Sequence, residues 1–179
     1  MEYISEEPER KVPVMMSWVR RRLDQSDKLF ERQKKVASGT EPIWLSLREA
    51  LKDSIATFEE GRRGGRFEQN GKNHHVYWAR YLEDTPNHAT EKKKVTIALD
   101  GEAGKITATY EGVSHAPRVL KLTLCGEEVC LQREPEEGSK MPDGLHSAEA
   151  AFYFLDPFLF PDLASSPLPL ELSKEMFGL

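Results

Sequence analysis

The spacing of apolar residues changes once along this chain, near residue 70, and that change constrains the fold more than any other feature. Before it, apolar residues recur every three or four positions. After it, up to about residue 133, they alternate with polar residues. Only a helix keeps the first pattern on one face, and only a pleated strand keeps the second. The sequence therefore predicts helices first, a run of antiparallel strands next, and a short helix with an apolar tail last.

Two N-terminal helices are predicted. The first begins after Pro13 and ends at Ser38-Gly39, since glycine accepts the left-handed conformation that closes a helix. The second begins at Thr40, a good N-cap residue. Its apolar stripe follows spacings of three and four: Trp44, Leu47, Leu51, Ile55 and Phe58. A glycine-rich stretch at 61–65 ends it. The stripe of the first helix (Met15, Val19, Leu23, Phe30) is thinner and is interrupted by Ser26.

The alternating region predicts a four- to five-stranded antiparallel meander. The strands fall at 75–82, 94–99, 106–110, 119–124 and 129–131, and Gly126-Glu127 forms a two-residue turn between the last two. Half-polar alternation implies one covered face, and the helices offer the largest apolar surface to cover it. A short helix at 148–155 and an extended apolar tail complete an α+β fold.

Size and composition favour one domain. With 179 residues, of which 39% are apolar, the chain can form a single core. We expect a flexible N-terminus at 1–11, one α+β domain at 12–164 and an extended tail at 165–179. No apolar run approaches the roughly 20 residues that span a bilayer, and the acidic start lacks a secretion signal. These features predict a cytoplasmic protein.

The net charge of −5 is unevenly distributed. Residues 10–35 carry nine basic and three acidic side chains, whereas residues 135–179 carry two basic and eight acidic ones. Opposed ends attract each other within one molecule or face different partners, and two solvated surfaces are the simplest interpretation.

No motif in the sequence is typical of a catalytic or metal site. Cys125 and Cys130 fall on diagonal positions across the predicted turn, which favours two reduced cysteines over a disulfide. No nearby ligands complete a zinc site. Ser114-His115 is the only Ser-His neighbour pair. Four aspartates could each belong to an acid–base pair, but a carboxylate near a turn usually caps or solvates that turn; these are Asp84, Asp100, Asp156 and Asp162. The sequence leans against an enzyme and predicts no metal and no cofactor.

The main functional prediction is a non-enzymatic interaction or regulatory module that binds a protein partner or a second copy of itself. The predicted contacts are the apolar tail and an exposed edge of the sheet, and the basic segments are further candidates. The candidate interaction residues are Phe158, Phe160, Leu168, Leu170, Leu172, Arg20, Arg21, Arg62 and Arg63.

Two other classes remain open. A small-molecule pocket, with or without catalysis, would be lined by aromatic side chains between helices and sheet. The candidates for it are Trp44, Trp78, Tyr77, Tyr81 and Tyr110. Phosphate or nucleic-acid binding by the basic first helix is the third class, and an isoelectric point near 5.6 disfavours it.

Overall fold

The computed structural model describes residues 14–61, 66–70, 74–135, 137–138, 140 and 143–163. Two units are distinguished, Met1–Lys34 and Lys35–Leu179, and their boundary falls within the first helix. The domain boundaries predicted at 11/12 and 164/165 both lie outside the described residues. The elements are α1 (Val14–Gly61), β1 (Arg66–Asn70), β2 (Val76–Thr85), β3 (His88–Asp100), β4 (Lys105–Glu111), β5 (Arg118–Cys125), β6 (Glu128–Arg133) and α2 (Ser147–Leu159).

The prediction of two N-terminal helices was wrong, because α1 is one helix of 48 residues. Gly39 has no positive φ angle and does not close a helix. It is instead a point of close approach: a Cβ atom there would lie 2.4 Å from Cγ2 of Val129. Thr40 is not an N-cap, since its hydroxyl donates to the Val36 carbonyl one turn back, at 2.7 Å. Pro42 is accommodated inside the helix, although it has no N–H to donate.

The described strands form one antiparallel sheet of six, in the order β1-β2-β3-β4-β5-β6. The meander and the α+β class were predicted correctly, but the strand number was one too low. The missed strand is β1, which has a single large apolar residue, Phe67, and pairs through charged side chains. Arg80 on β2 donates to Glu68 at 2.6 Å. Cross-strand charge pairs of this kind stabilise strands that have little apolar alternation.

The β2–β3 hairpin is also longer than predicted, for the same reason. Its polar end continues to Thr85 and His88, where an ion pair of 3.1 Å joins Glu83 to Lys92. A register shift between Tyr81 and Leu82 interrupts the alternation. At the other end of the sheet, the predicted two-residue turn at Gly126-Glu127 is present, and Gly126 has a φ of +72°.

One face of the sheet carries the core, and we call it the inner face. Its strand residues include Tyr77, Ala79, Val95, Ile97, Ile106, Ala108, Leu120, Leu122 and Leu131. Trp44, Leu47, Leu51 and Ile55 of α1 are fully buried in the same cluster. The apolar stripe from Trp44 to Phe58, which the sequence assigned to a separate helix, is therefore the buried face of the C-terminal half of α1, as the spacing indicated.

The second helix, α2, is longer than the predicted 148–155 and contains Pro157. Its N-cap is His146, and the hydroxyls of Ser147 and Ser46 of α1 share a hydrogen bond of 2.7 Å. Side chains from the sheet donate to its backbone carbonyls: Tyr110 to Phe154, Arg118 to Tyr153 and Lys93 to Phe158. Of these donors, the Lys93 ammonium lies at the last turn, where the helix dipole favours a cation. Together the three hydrogen bonds hold α2 on the sheet.

Candidate interaction surfaces

The helical part of the N-terminal unit exposes large apolar side chains. Phe30 is 64% exposed, and the others, each above 40%, are Trp18, Val19, Leu23 and Leu29. All described side chains from Ser17 to Lys34 are exposed, including those of Arg20 and Arg21. Amphipathic helices usually bury such a stripe, so this exposed one is a candidate contact surface.

The C-terminal candidate residues divide into two groups. Leu168, Leu170 and Leu172 lie outside the described residues, as do Arg62 and Arg63 in the glycine-rich stretch. Phe158 and Phe160 are described, and they differ in environment. Phe158 is fully buried on α2, with its ring 5.9 Å from that of Phe67. Phe160 is 43% exposed and packs edge-on against Phe58 at 5.2 Å. Of this pair, only Phe160 offers surface to a partner.

The five aromatic residues predicted for a pocket do not all lie on one face of the sheet: Trp44 and Tyr77 belong to the core cluster, Tyr110 packs against it, and Trp78 lies on the outer face. Trp44 and Tyr77 are fully buried, and both direct their polar atoms at the protein itself. The Trp44 indole donates to the His74 carbonyl at 2.5 Å, and the Tyr77 hydroxyl donates to Gln69 at 2.6 Å. Burial raises the pKa of Tyr77. These two side chains are parts of the core.

The three remaining aromatic candidates are half-buried: Trp78, Tyr81 and Tyr110. Trp78 follows Tyr77 on the same strand and so points to the opposite, outer face. There, Cζ of Arg80 and Nζ of Lys94 lie 5.4 and 5.6 Å from the centroid of its ring. Tyr81 packs against Phe67, with the ring centroids 5.2 Å apart. Tyr110 is half-buried and donates to the Phe154 carbonyl at 2.8 Å.

Sequence reasoning missed a cluster of cations around Tyr153 on α2. Arg118 of β5 and Arg133 of β6 stack on the Tyr153 ring, with their Cζ atoms 4.7 and 4.6 Å from its centroid. Arg118 is in phase with buried Leu120 and Leu122, so it occupies an inner-face position. A charged residue at an apolar position of an alternating strand was the signal that could have identified this cluster.

Asp156 and His115 lie near this cluster. Desolvation raises the pKa of the Asp156 carboxyl, and the charges of Arg118 and His115 oppose that rise. The His115 ring packs edge-on against Tyr110 at 5.3 Å, and its Nδ1 lies 2.6 Å from the Ala116 carbonyl oxygen. Burial also raises the pKa of Tyr110. Asp156 therefore lies within electrostatic range of Arg118 and His115, next to the ring that Arg118 and Arg133 share.

The expectation of two reduced cysteines was wrong, because Cys125 and Cys130 form a disulfide. The predicted register is correct, with Thr123 opposite Cys130 and Cys125 opposite Glu128. The error concerned distance: the Cα atoms of these diagonal residues are 5.9 Å apart, within the range that a disulfide spans. The right-handed twist of a hairpin brings one diagonal pair closer together.

Within the part of the chain that the structure describes, no helix combines the length and apolar character needed to cross a bilayer. Among the same residues, no three side chains of the metal-ligating types come together as a metal site. Comparison with known protein families, with curated proteins and with solved structures finds no match to this chain.

Proposed function

We propose that this chain is a non-enzymatic protein-interaction module that associates with a second copy of itself through the N-terminal part of α1. The observation that carries the proposal is the exposed stripe formed by Val19, Leu23 and Phe30. A helix of this length that exposes such residues gains stability when they are buried against a partner. We call this stripe the seam.

The spacing of the seam favours another helix as the partner. Leu23, Phe30 and Ala37 are seven residues apart, and Trp44, Leu51 and Phe58 continue the same interval into the buried half of α1. A seven-residue apolar repeat is typical of helices that pack along one another, with these residues at position a. Val19, Ser26 and Gln33 then occupy position d.

Charge complementarity selects a second copy in parallel orientation. In that register, position g of one helix faces position e of the other five residues further on. Arg22 occupies a g position and Asp27 the matching e position, so each pair of copies makes two opposite-charge contacts between Arg22 and Asp27. Leu29 and Lys34 form the next such pair, in which the lysine stem covers the leucine.

The polar residues at position d imply weak association. Ser26 and Gln33 face the centre of the pair, and buried polar residues there fix the register at a cost in stability. We therefore expect a dissociation constant on the order of micromolar, typical of reversible assembly. Trp18 lies at position c, outside the seam of a two-helix pair. A membrane surface or a broad groove would instead use Trp18 as well as Phe30.

Analytical ultracentrifugation of the full chain over a concentration series tests this proposal. We expect a monomer–dimer equilibrium that Phe30→Ala weakens and that Trp18→Ala, an equally exposed aromatic control, leaves unchanged. Arg22→Glu should also weaken it, and the double variant Arg22→Glu/Asp27→Arg should restore it. A monomer at every concentration, or equal effects of the Phe30 and Trp18 variants, contradicts the proposal.

The cytoplasmic location forms part of the proposal, and the disulfide bears on it directly. Cytosolic thiols are normally kept reduced, so a Cys125–Cys130 disulfide is more typical of an oxidising compartment. Mass spectrometry of protein alkylated at the moment of cell lysis decides between them. If both cysteines are alkylated, they were reduced in the cell, which supports a cytoplasmic location. If the Cys125–Cys130 disulfide is intact at lysis, a cytoplasmic location is contradicted.

A further inference from the structure

Two positive charges share one aromatic ring in the Lys35–Leu179 unit, and the described residues do not neutralise both. Arg118 and Arg133 stack on Tyr153, yet neither has a described carboxylate within 4.0 Å. Other sheet arginines are paired: Arg66 with Glu68 at 3.2 Å, and Arg80 with Glu68 at 2.6 Å. Both guanidinium groups lie within 4.7 Å of the same ring centroid, and an anion that contacts both offsets the repulsion between their charges.

The two arginines differ in what they already bind. Arg118 is half-buried and donates from Nη1 to the Tyr153 carbonyl, which ties it to α2. Arg133 is exposed, and the only contact described for its guanidinium is the Tyr153 ring. A guanidinium carries its N–H donors along the edge of its plane, in a geometry that matches the two oxygens of a carboxylate.

From this geometry we infer that Arg118, Arg133 and Tyr153 form a binding site for a carboxylate. The ligand's two oxygens accept hydrogen bonds from Arg133 and from the remaining donors of Arg118, and Tyr153 holds both guanidinium planes in place. The site is separate from the seam and does not depend on self-association.

The charge of the surroundings favours a monoanion over a phosphate. Asp156 already contributes one negative charge within electrostatic range of Arg118, while His115 opposes it from the β4–β5 loop. The two arginines and Asp156 together leave one net positive charge. A carboxylate cancels that charge, whereas a phosphate dianion would leave an excess of negative charge beside Asp156.

The test uses NMR titration of the full chain with acetate, and separately with inorganic phosphate, at constant ionic strength. We expect the side-chain N–H signals of Arg118 and Arg133 to shift saturably with acetate, with half-saturation at about 10 mM or lower. Phosphate should bind more weakly. Repeating the titration with the Phe30→Ala variant separates this result from any change in oligomeric state.

Variants locate the site. Arg133→Gln should weaken acetate binding at least about tenfold. Arg133→Lys should also weaken it, because the lysine ammonium lacks the planar pair of N–H donors of a guanidinium. Tyr153→Phe keeps the ring and should bind as the parent does. Arg66→Gln, which removes a paired arginine at the other end of the sheet, serves as the control and should have no effect. No saturable shift, tighter binding of phosphate, or an equal loss in the Arg66 variant overturns the inference.

Discussion

The two halves of α1 should respond oppositely to the loss of a large apolar side chain. Leu51 is 0% exposed and Phe30 is 64% exposed, although both lie on the same seven-residue repeat. Leu51→Ala leaves a cavity in the core and should lower the free energy of unfolding by about 2–5 kcal/mol. Phe30→Ala removes a side chain that is mostly in water in the monomer, so unfolding of the monomer should change by no more than about 0.5 kcal/mol.

Association should show the reverse. Burying a phenylalanine side chain contributes about 1.5–3 kcal/mol, and a symmetric pair of copies buries two of them. The loss of at least about 3 kcal/mol corresponds to a dissociation constant about a hundredfold higher. Urea unfolding at a concentration where the parent is monomeric gives the first quantity, and sedimentation equilibrium gives the second. The reasoning is refuted if Phe30→Ala destabilises the monomer as much as Leu51→Ala does, since Phe30 would then be buried within one chain.

Three further changes test the fold. Gly39→Ala should be destabilising despite a helix-propensity gain of about 1 kcal/mol, because the new methyl group meets Val129. In a Val129→Ala background the same change should instead stabilise, as urea unfolding of the parent, the two single variants and the double variant will show. Asp156 has a raised pKa, so the folded state binds its proton more tightly than the unfolded state does. This residue's contribution to the free energy of unfolding therefore falls as the pH rises through that pKa. Asp156→Asn should remove this contribution from the pH dependence of the unfolding free energy between pH 3 and 8, and an unchanged pH dependence would contradict the assignment. Replacing both Cys125 and Cys130 with serine should lower the free energy of unfolding by about 2 kcal/mol, the value for a short closed loop, and an equal loss when a reducing agent is added to the parent would confirm that the disulfide is the cause.

Apolar spacing predicted the buried residues of this fold better than it predicted the ends of its elements. The interval from Trp44 to Phe58 identified the buried face of α1, and the alternation at Val95, Ile97 and Ile106 identified the inner face of the sheet. Burial imposes these patterns directly, so they are visible in the sequence.

The errors arose where contacts distant in sequence decided the outcome. Gly39 resembles a helix end, but it serves a close approach to Val129, about ninety residues later. The β1 strand depends on charge pairing with Arg80 rather than on alternation. A local pattern cannot show either contact, because both depend on tertiary structure.

The candidate sites were harder to predict than the fold. The aromatic residues were chosen for their type, yet Trp44 and Tyr77 lie in the core while Trp78 lies on the outer face. The cluster around Tyr153 joins residues of β5, β6 and α2, so its members become neighbours only when the sheet and helix pack.

Disulfide crosslinking across the seam tests the central proposal most directly. In a parallel pair, Leu23 of one copy faces Leu23 of the other, whereas Arg21 points away at position f. Since the native cysteines of the chain are bonded to each other, a single introduced cysteine is the reactive thiol. We expect Leu23→Cys to form a covalent dimer under mild oxidation and Arg21→Cys to remain monomeric. Failure of Leu23→Cys to crosslink, or equal crosslinking of both variants, would contradict pairing through this seam.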